Sequence, residues 1–410
     1  MCDQDISCFM KTLTTALLLL FSLSSVVTAG EWKGQVTERD GLKVVVSPTT
    51  GYEPNQRITP KQLWSVGNDE DNENELFGFI ADLTLDDDGN CYLVDSQLHV
   101  IRVFSPDGKF LRAFGRQGAG PGEFSYPSSL VFLSHDLVGT FQSHPSRLVL
   151  FTTAGDAAGI MTLSLEHHEG MVSLVGSKSW HGNIYLHGLG SVVERGQTYR
   201  TYFCDQLDSK GRFVRTLYTC EEVIERAENV VDDSILLPFL SRQWAVCSDG
   251  SLVLYGSDQY EITVCNLDGT HYAITRDYQR RKRSRSEIER KTQSWLDSYM
   301  STEPPKLNIS DYDPDVFGLY PQADGTLWVL TSHGTADRPR GAMGVFDVFD
   351  QRGRFQKQVT LMGRHDPLDD EFYFFGKRLY VVTKLESTMS HLSRGDSDYE
   401  PMMVYCFLLP

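Results

Sequence analysis

Histidine is the first place to look for chemistry in this chain. Five of its eleven histidines, His167-His168, His181, His187 and His333, stand at or near junctions between strand-like segments. No two histidines have the i, i+4 spacing that sets a pair of imidazoles on one helix face for zinc, so each alone reads as a surface or hydrogen-bonded structural residue. A shared site stays open, because sequence distance does not measure spatial distance in a chain that closes on itself. Asp86-Asp87-Asp88-Gly89 has the outline of a calcium loop. With Gly89 at the sixth position, however, Thr84 stands at the first and Asp95 at the twelfth, so an acidic ligand is missing and the bidentate Glu is replaced; a solvated hairpin turn is the better reading. No G-x-S-x-G elbow occurs and no cysteine has a marked electropositive surround, so covalent catalysis is not supported.

The elements that must position these residues come from an internal repeat. Asp88-Gly89-Asn90-Cys91-Tyr92-Leu93 running to Asp107-Gly108 overlays Asp249-Gly250-Ser251-Leu252-Val253-Leu254 running to Asp268-Gly269 without a gap. Leu93/Leu254, Ser96/Ser257, Ile101/Ile262 and Val103/Val264 coincide. Asp-Gly supplies the positive φ of a tight turn and the flanks are β-branched, aromatic or leucine, so the unit is strand, connection, strand, turn, strand. Looser copies begin at Gly182-Asn183 and Gly325-Thr326, and Leu137 to Ala154 and Arg378 to Leu409 fit the same plan. The six second strands centre near residues 92, 138, 185, 253, 328 and 380, a spacing in the range of propeller blades. Both strand faces carry apolar residues, as stacked blades require. The fold class is therefore all-β, a six-bladed β-propeller, with one inserted helix after the fourth blade. The division expected is 1–29 signal peptide, 30–60 N-terminal extension and 61–410 propeller. Gln62 to Gly67 is expected to close the ring by pairing with Met402 to Leu409, which otherwise has no following strand.

The stretch Val103-Phe104-Ser105-Pro106-Asp107-Gly108-Lys109-Phe110, continuing through Gly115-Arg116-Gln117-Gly118-Ala119-Gly120-Pro121-Gly122-Glu123-Phe124 to Pro127, resembles the NHL repeat of six-bladed propellers. With Leu63-Trp64-Ser65-Val66-Gly67, the segment Gly325 to Phe349 and Lys377-Arg378-Leu379-Tyr380-Val381-Val382, the chain is similar to a family of exported bacterial six-bladed propellers. That resemblance implies the fold and no particular activity. Six-bladed propellers that act as lyases or lactonases hold a metal where inner strands converge, but the acidic and amide quartet of a lactonase-like calcium site is not identifiable here. Glycines 115, 118, 120 and 122 do not make a phosphate loop, since Phe124-Ser125-Tyr126-Pro127 cannot open a helix and no Lys-Ser/Thr follows. They let the chain cross from one blade to the next.

Met10-Lys11, an apolar centre from Ala16 to Val27 and the small-residue end Val27-Thr28-Ala29-Gly30 read as a secretory signal cleaved after Ala29, with Met10 as an alternative start and an uncleaved anchor as the competing reading. The net charge of −17, or −16 once Asp3, Asp5 and Lys11 leave with that segment, argues against nucleic acid and anionic lipid as partners. The six cysteines that remain are scattered and strand-bound, and no essential disulfide is expected. One basic run, Arg280-Arg281-Lys282-Arg283-Ser284-Arg285, precedes Ser286-Glu287-Ile288-Glu289, read as a capping box opening a helix over 286–299 that ends before Pro304-Pro305. Among the tryptophans, Trp180 and Trp295 suit a stacking surface, while Trp244 and Trp328 suit the core.

The function expected is a non-catalytic, periplasmic or secreted monomer presenting rim loops to a protein, peptide or glycan, with no cofactor and no membrane span after cleavage. The alternative is a metal-assisted lyase or hydrolase with calcium or zinc in the central channel. No catalytic or metal residue can be named. The insertions Ser286 to Pro305 and Ser332 to Gly341 are expected on one rim, with Trp295 and His333 as candidate binding-face residues.

Overall fold

The computed structural model describes residues 30–410, apart from 68–70, 144, 196, 226–229, 234–242, 257–258, 299–305 and 396–399. The expected signal segment thus lies outside the described residues. Six blades follow one another. Their first and last strands are Ile80–Leu85 and Phe110–Phe114, Pro127–Ser134 and Ala157–Thr162, Met171–Trp180 and Phe213–Glu225, Trp244–Val246 and His271–Arg276, and Val316–Pro321 and Phe355–Met362 for blades one to five. The sixth contains Glu371–Phe375, Arg378–Val382 and Val404–Leu408, and Lys61–Val66 supplies its outer strand. Val66 pairs with Val404 and Lys61 with Leu408, so the ring closes as the sequence implies. The six second strands are those centred by the repeat.

Hairpin turns share one construction. Asp86, Ser105, Asp208 and Asp350 each accept, through the side chain, the backbone N–H two and four residues on at 2.8–3.3 Å. Each backbone C=O accepts the N–H of the glycine three residues later, and that glycine has φ between 73° and 79°. The Asp86 turn is thus satisfied by its own backbone, in keeping with a hairpin rather than a calcium loop.

Packing repeats as faithfully as the turns. Six apolar clusters lie between successive blades, including one where the sixth meets the first: Tyr380, Met402, Val404 and Cys406 against Ile80, Leu83, Leu93 and Phe104. Trp244 is buried between blades three and four, and Trp328 packs against the cluster between five and six. The six cysteines are free thiols.

Residues 30–60 add strands to the ring's outer wall. Leu42–Ser47 runs parallel to His271–Arg276 of blade four and is backed by Gln35–Arg39; Gln56–Ile58 runs parallel to Phe355–Met362 of blade five. Ser47 Oγ accepts from Phe355 N at 3.0 Å, and Glu53 pairs with Lys357. The segment therefore covers the edges of two blades before it completes a third.

Candidate functional site

Strand alternation divides the connections between two faces. First-to-second and third-to-fourth turns lie on one; second-to-third loops and crossings between blades lie on the other. The three α-helices among the described residues are all on the crossing face. They are α1 (Arg285–Ser298) between blades four and five, α2 (Ser332–Ala336) within blade five and α3 (Leu385–Ser393) within blade six. Helix α1 touches α3, so it reaches across blade five.

Helix α1 begins earlier than the sequence suggested. Ser284, not Ser286, is the cap: its Oγ accepts from Glu287 N at 3.3 Å, and Glu287 accepts from Ser284 N at 2.7 Å. The S-x-x-E spacing occurs at both serines, and Arg281 decides between them by holding Glu287 at 2.7 Å. The Ser284 N–H and the Arg281 guanidinium hold the Glu287 carboxyl at about 2.

The basic run is neutralised within the fold. Arg281 bonds Asp313, Glu287 and Asp337 at 2.6, 2.7 and 3.1 Å; Arg283 bonds Asp313 and Asp233 at 2.7 and 2.8 Å and the Ser310 carbonyl at 2.7 Å. Arg283 and Asp233 side chains are only 4% and 2% exposed. Burial pushes the Asp233 carboxyl up, but bonds from Ser310 N, Lys291 and Arg283 outweigh it and hold it below its usual value. Asp337 follows α2, so Arg281 ties the 332–341 loop directly to the approach to α1. Tyr278 Oη meets Ser332 Oγ at 2.9 Å and accepts from His333 N. The two insertions therefore share one rim. His333 is occupied within it: Nδ1 lies 2.6 Å from Asp337 and Nε2 3.0 Å from the Gln279 carbonyl. Trp295 lies near the end of α1 and is half-buried.

A second constellation, unresolved by sequence spacing, lies between blades two and three. His167 and His168 occupy the crossing between them, and Asp205 comes from blade three's third strand, Gln197–Leu207. The two Nε2 atoms lie 2.9 and 2.6 Å from one oxygen, Asp205 Oδ2, and the three atoms fall within 4.8 Å of one another. Thr216 donates to Asp205 Oδ1 at 2.8 Å. His168 stacks on Phe203 with ring centres 3.6 Å apart, and His167 packs on Phe213 at 3.9 Å. The imidazoles border a cleft of about 490 Å³ whose lining includes Glu169, Glu194, Glu221 and Glu222. Among the described residues the other histidines do not join them. His187 is buried against Trp244, its imidazole pushed down to about 4 by desolvation, and His181 sits in a turn at φ 46°.

The third place is the central channel. First strands of successive blades touch from the first blade through to the sixth, and the strand is bulged near its start in blades one, two and five, just before Asp82, Ser129 and Gly318, and at its middle in blade three, just before Gly176. Asp82 accepts from Leu83 N at 2.9 Å and from Leu130 N of the next blade at 2.8 Å. Ser129 and Ser177 oxygens meet at 2.6 Å, and Ser179 Oγ accepts from Phe132 N. Desolvation, with Glu371 adding, pushes the Asp82 carboxyl up to about 6 against the opposing Lys178 and backbone N–H groups. On the opposite face, a groove of about 880 Å³ between blades four and five is bordered by turn residues already bonded at home, Asp249 to Ser251 and Arg354 to Asp350.

Residues 70–133 match the model of the DUF5128 family, described as a 6-bladed beta-propeller. They enclose the stretch 80–131 on which the sequence resemblance rests. No curated protein matches by sequence. Among solved structures, a putative exported protein from Bacteroides fragilis is similar at 10% identity, with 86% of this chain and 99% of that one covered and a TM-score of 0.48. A member of the DUF4221 family from Bacteroides vulgatus shows 9% identity, 86% and 97% coverage and a TM-score of 0.47. A virginiamycin B lyase from Staphylococcus aureus shows 10%, 85% and 98%, and 0.42. The protein is an all-β, six-bladed β-propeller. Among the described residues no helix is long and apolar enough to cross a membrane.

Proposed function

We propose that this propeller is a non-catalytic binding protein, periplasmic or secreted, whose rim of three helices receives a protein, peptide or glycan. The observation that carries the reading is the bracing of that rim. Arg281 and Arg283 join α1, the segment 311–315, the α2 loop and Asp233 through five ion pairs, so the surface is organised before any ligand arrives. The apolar segment ending at Ala29 supports export.

The test is to screen the purified protein against an oligosaccharide array and a displayed peptide library, then measure each hit on two sets of variants. Arg290→Ala with Ser294→Arg on the exposed side of α1 is expected to weaken binding at least tenfold; Lys109→Ala and Lys210→Ala on the turn face are expected to change nothing. Hits sensitive only to the turn face would overturn the reading. The alternative, a metal-assisted lyase or hydrolase working in the channel, is favoured by the raised Asp82 carboxyl. A ligand lost on Asp82→Asn, with α1 variants silent, would select it.

A further inference from the structure

We propose that His167, His168 and Asp205 form a site for a zinc-class divalent cation at the head of the blade-three cleft, separate from both the rim and the channel.

The donor set is the first argument. Two imidazole nitrogens and one carboxylate oxygen suit zinc and its neighbours, and three protein ligands leave a position open. Tetrahedral ligation at about 2.1 Å separates ligand atoms by roughly 3.4 Å. The His167 and His168 nitrogens lie 2.9 and 2.6 Å from Asp205 Oδ2, so openings of about 0.5 and 0.8 Å admit the ion. The crossing segment can supply it, because both histidines lie outside the strands.

Charge is the second argument. Asp205 is fully buried, and among the described residues no lysine or arginine pairs with it; its partners are the two imidazoles and the Thr216 hydroxyl. A buried carboxylate in that position calls for a cation. The cleft outside offers four more carboxylates, Glu169, Glu194, Glu221 and Glu222, against Arg200, which favours entry of a metal over an anion.

Support around the ligands is the third. Thr216 orients the carboxylate from behind, while Phe203 and Phe213 hold the rings with both Nε2 atoms aimed at one oxygen. The open side faces the cleft, with the His167 side chain 28% and the His168 side chain 10% exposed. A purely mechanical clasp of crossing to blade would use the same hydrogen bonds, and it is the outcome against which the proposal is set.

The test is calorimetric titration of chelator-treated, full mature chain with Zn²⁺, repeated with Co²⁺ to follow its visible absorption. One saturable equivalent is expected, with Co²⁺ bands that Zn²⁺ displaces. His168→Gln and Asp205→Asn should abolish it, and Thr216→Val should weaken it on the order of tenfold, as expected for a group orienting a ligand. His271→Gln, an exposed side chain at the start of blade four's last strand, should leave it unchanged. Should the buried variants fail to fold, His167→Gln decides, with its melting curve as the control. No saturable uptake, or uptake indifferent to His167→Gln and Thr216→Val, would overturn the assignment. The rim screen does not depend on either result.

Discussion

Asp82 offers a measurement whose sign follows from the geometry. Its carboxyl is raised from 3.8 to about 6, chiefly because the channel wall strips water from it. The folded state therefore holds the proton more tightly than the unfolded chain. That advantage is complete below the unfolded value near 3.8 and is lost as the pH rises through about 6, so this group makes the protein less stable at neutrality than at pH 4. Two units at about 1.4 kcal/mol each give roughly 3 kcal/mol. The carboxyl is only partly shielded, so solvent screening reduces this to about 1–3 kcal/mol. Asp82→Asn removes the titration but leaves one oxygen to serve both Leu83 N and Leu130 N, a loss of about 1 kcal/mol that does not vary with pH. Urea unfolding of both proteins, followed by tryptophan fluorescence between about pH 4 and pH 7, isolates the group, because every other titration cancels in the difference. The variant should gain about 1–3 kcal/mol on the wild type across that range. A difference independent of pH, or one that moves in favour of the wild type, would refute the reasoning.

The turns supply a paired test: Gly108 and Gly269 have φ of 79° and 86°, but a Cβ at Gly108 would come within 2.7 Å of the Trp64 ring, whereas none at Gly269 meets an atom within 4 Å. Gly269→Val should cost about 1–3 kcal/mol for backbone strain alone, and Gly108→Val clearly more; equal urea midpoints would contradict this. Arg283→Ala, which leaves Asp233 buried with Lys291 as its remaining cation, should cost about 1.5–3 kcal/mol, while Arg285→Ala, whose pair with Glu289 is exposed, should stay within about 0.5 kcal/mol; a calorimetric melt separates them. Deleting residues 30–66 removes the closing strand and the strands laid on blades four and five together, so cooperative unfolding should be lost, and an unchanged midpoint would sink the account of closure.

What was legible in the sequence follows from what is local. The glycine of an Asp-Gly pair readily takes positive φ, so the turns and hence the blades could be counted, and a final strand lacking a neighbour pointed to Gln62 to Gly67, found paired as Lys61–Val66. The parallel strands Leu42–Ser47 and Gln56–Ile58 left no such mark, because pairing at an outer edge imposes no period on the sequence. The cap of α1 was misplaced by two residues because an arginine outside the helix selects the serine. Asp205 was missed for a related reason: its partners lie 37 and 38 residues upstream, in a crossing without secondary structure. A signal was nonetheless present, since a lone carboxylate within Tyr202-Phe203-Cys204-Asp205-Gln206-Leu207, a run of the buried third strand, needs a partner from elsewhere. The same reading would have found Asp347, buried beside Arg276 and Tyr260.

The two faces of the ring obey different constraints, and this bears on where a ligand can act. On the turn face, Asp86, Ser105, Asp208 and Asp350 spend their side-chain oxygens on their own backbone, so these turns are self-sufficient and leave little unsatisfied polarity to offer a partner. On the opposite face the chain must travel from one blade to the next or from a second strand to a third, and no local rule limits how far it strays. The helices, the Arg281 network and the His167-His168 crossing all arise from such connections. Lengthening one of them disturbs neither a turn nor an inter-blade cluster, because both are complete without it. The fold is thereby free to vary chemistry on that face at small cost to closure. For the same reason, substitutions that abolish binding there should leave the unfolding midpoint nearly unmoved unless they strike Arg283 or Asp233, where rim and core share one buried ion pair.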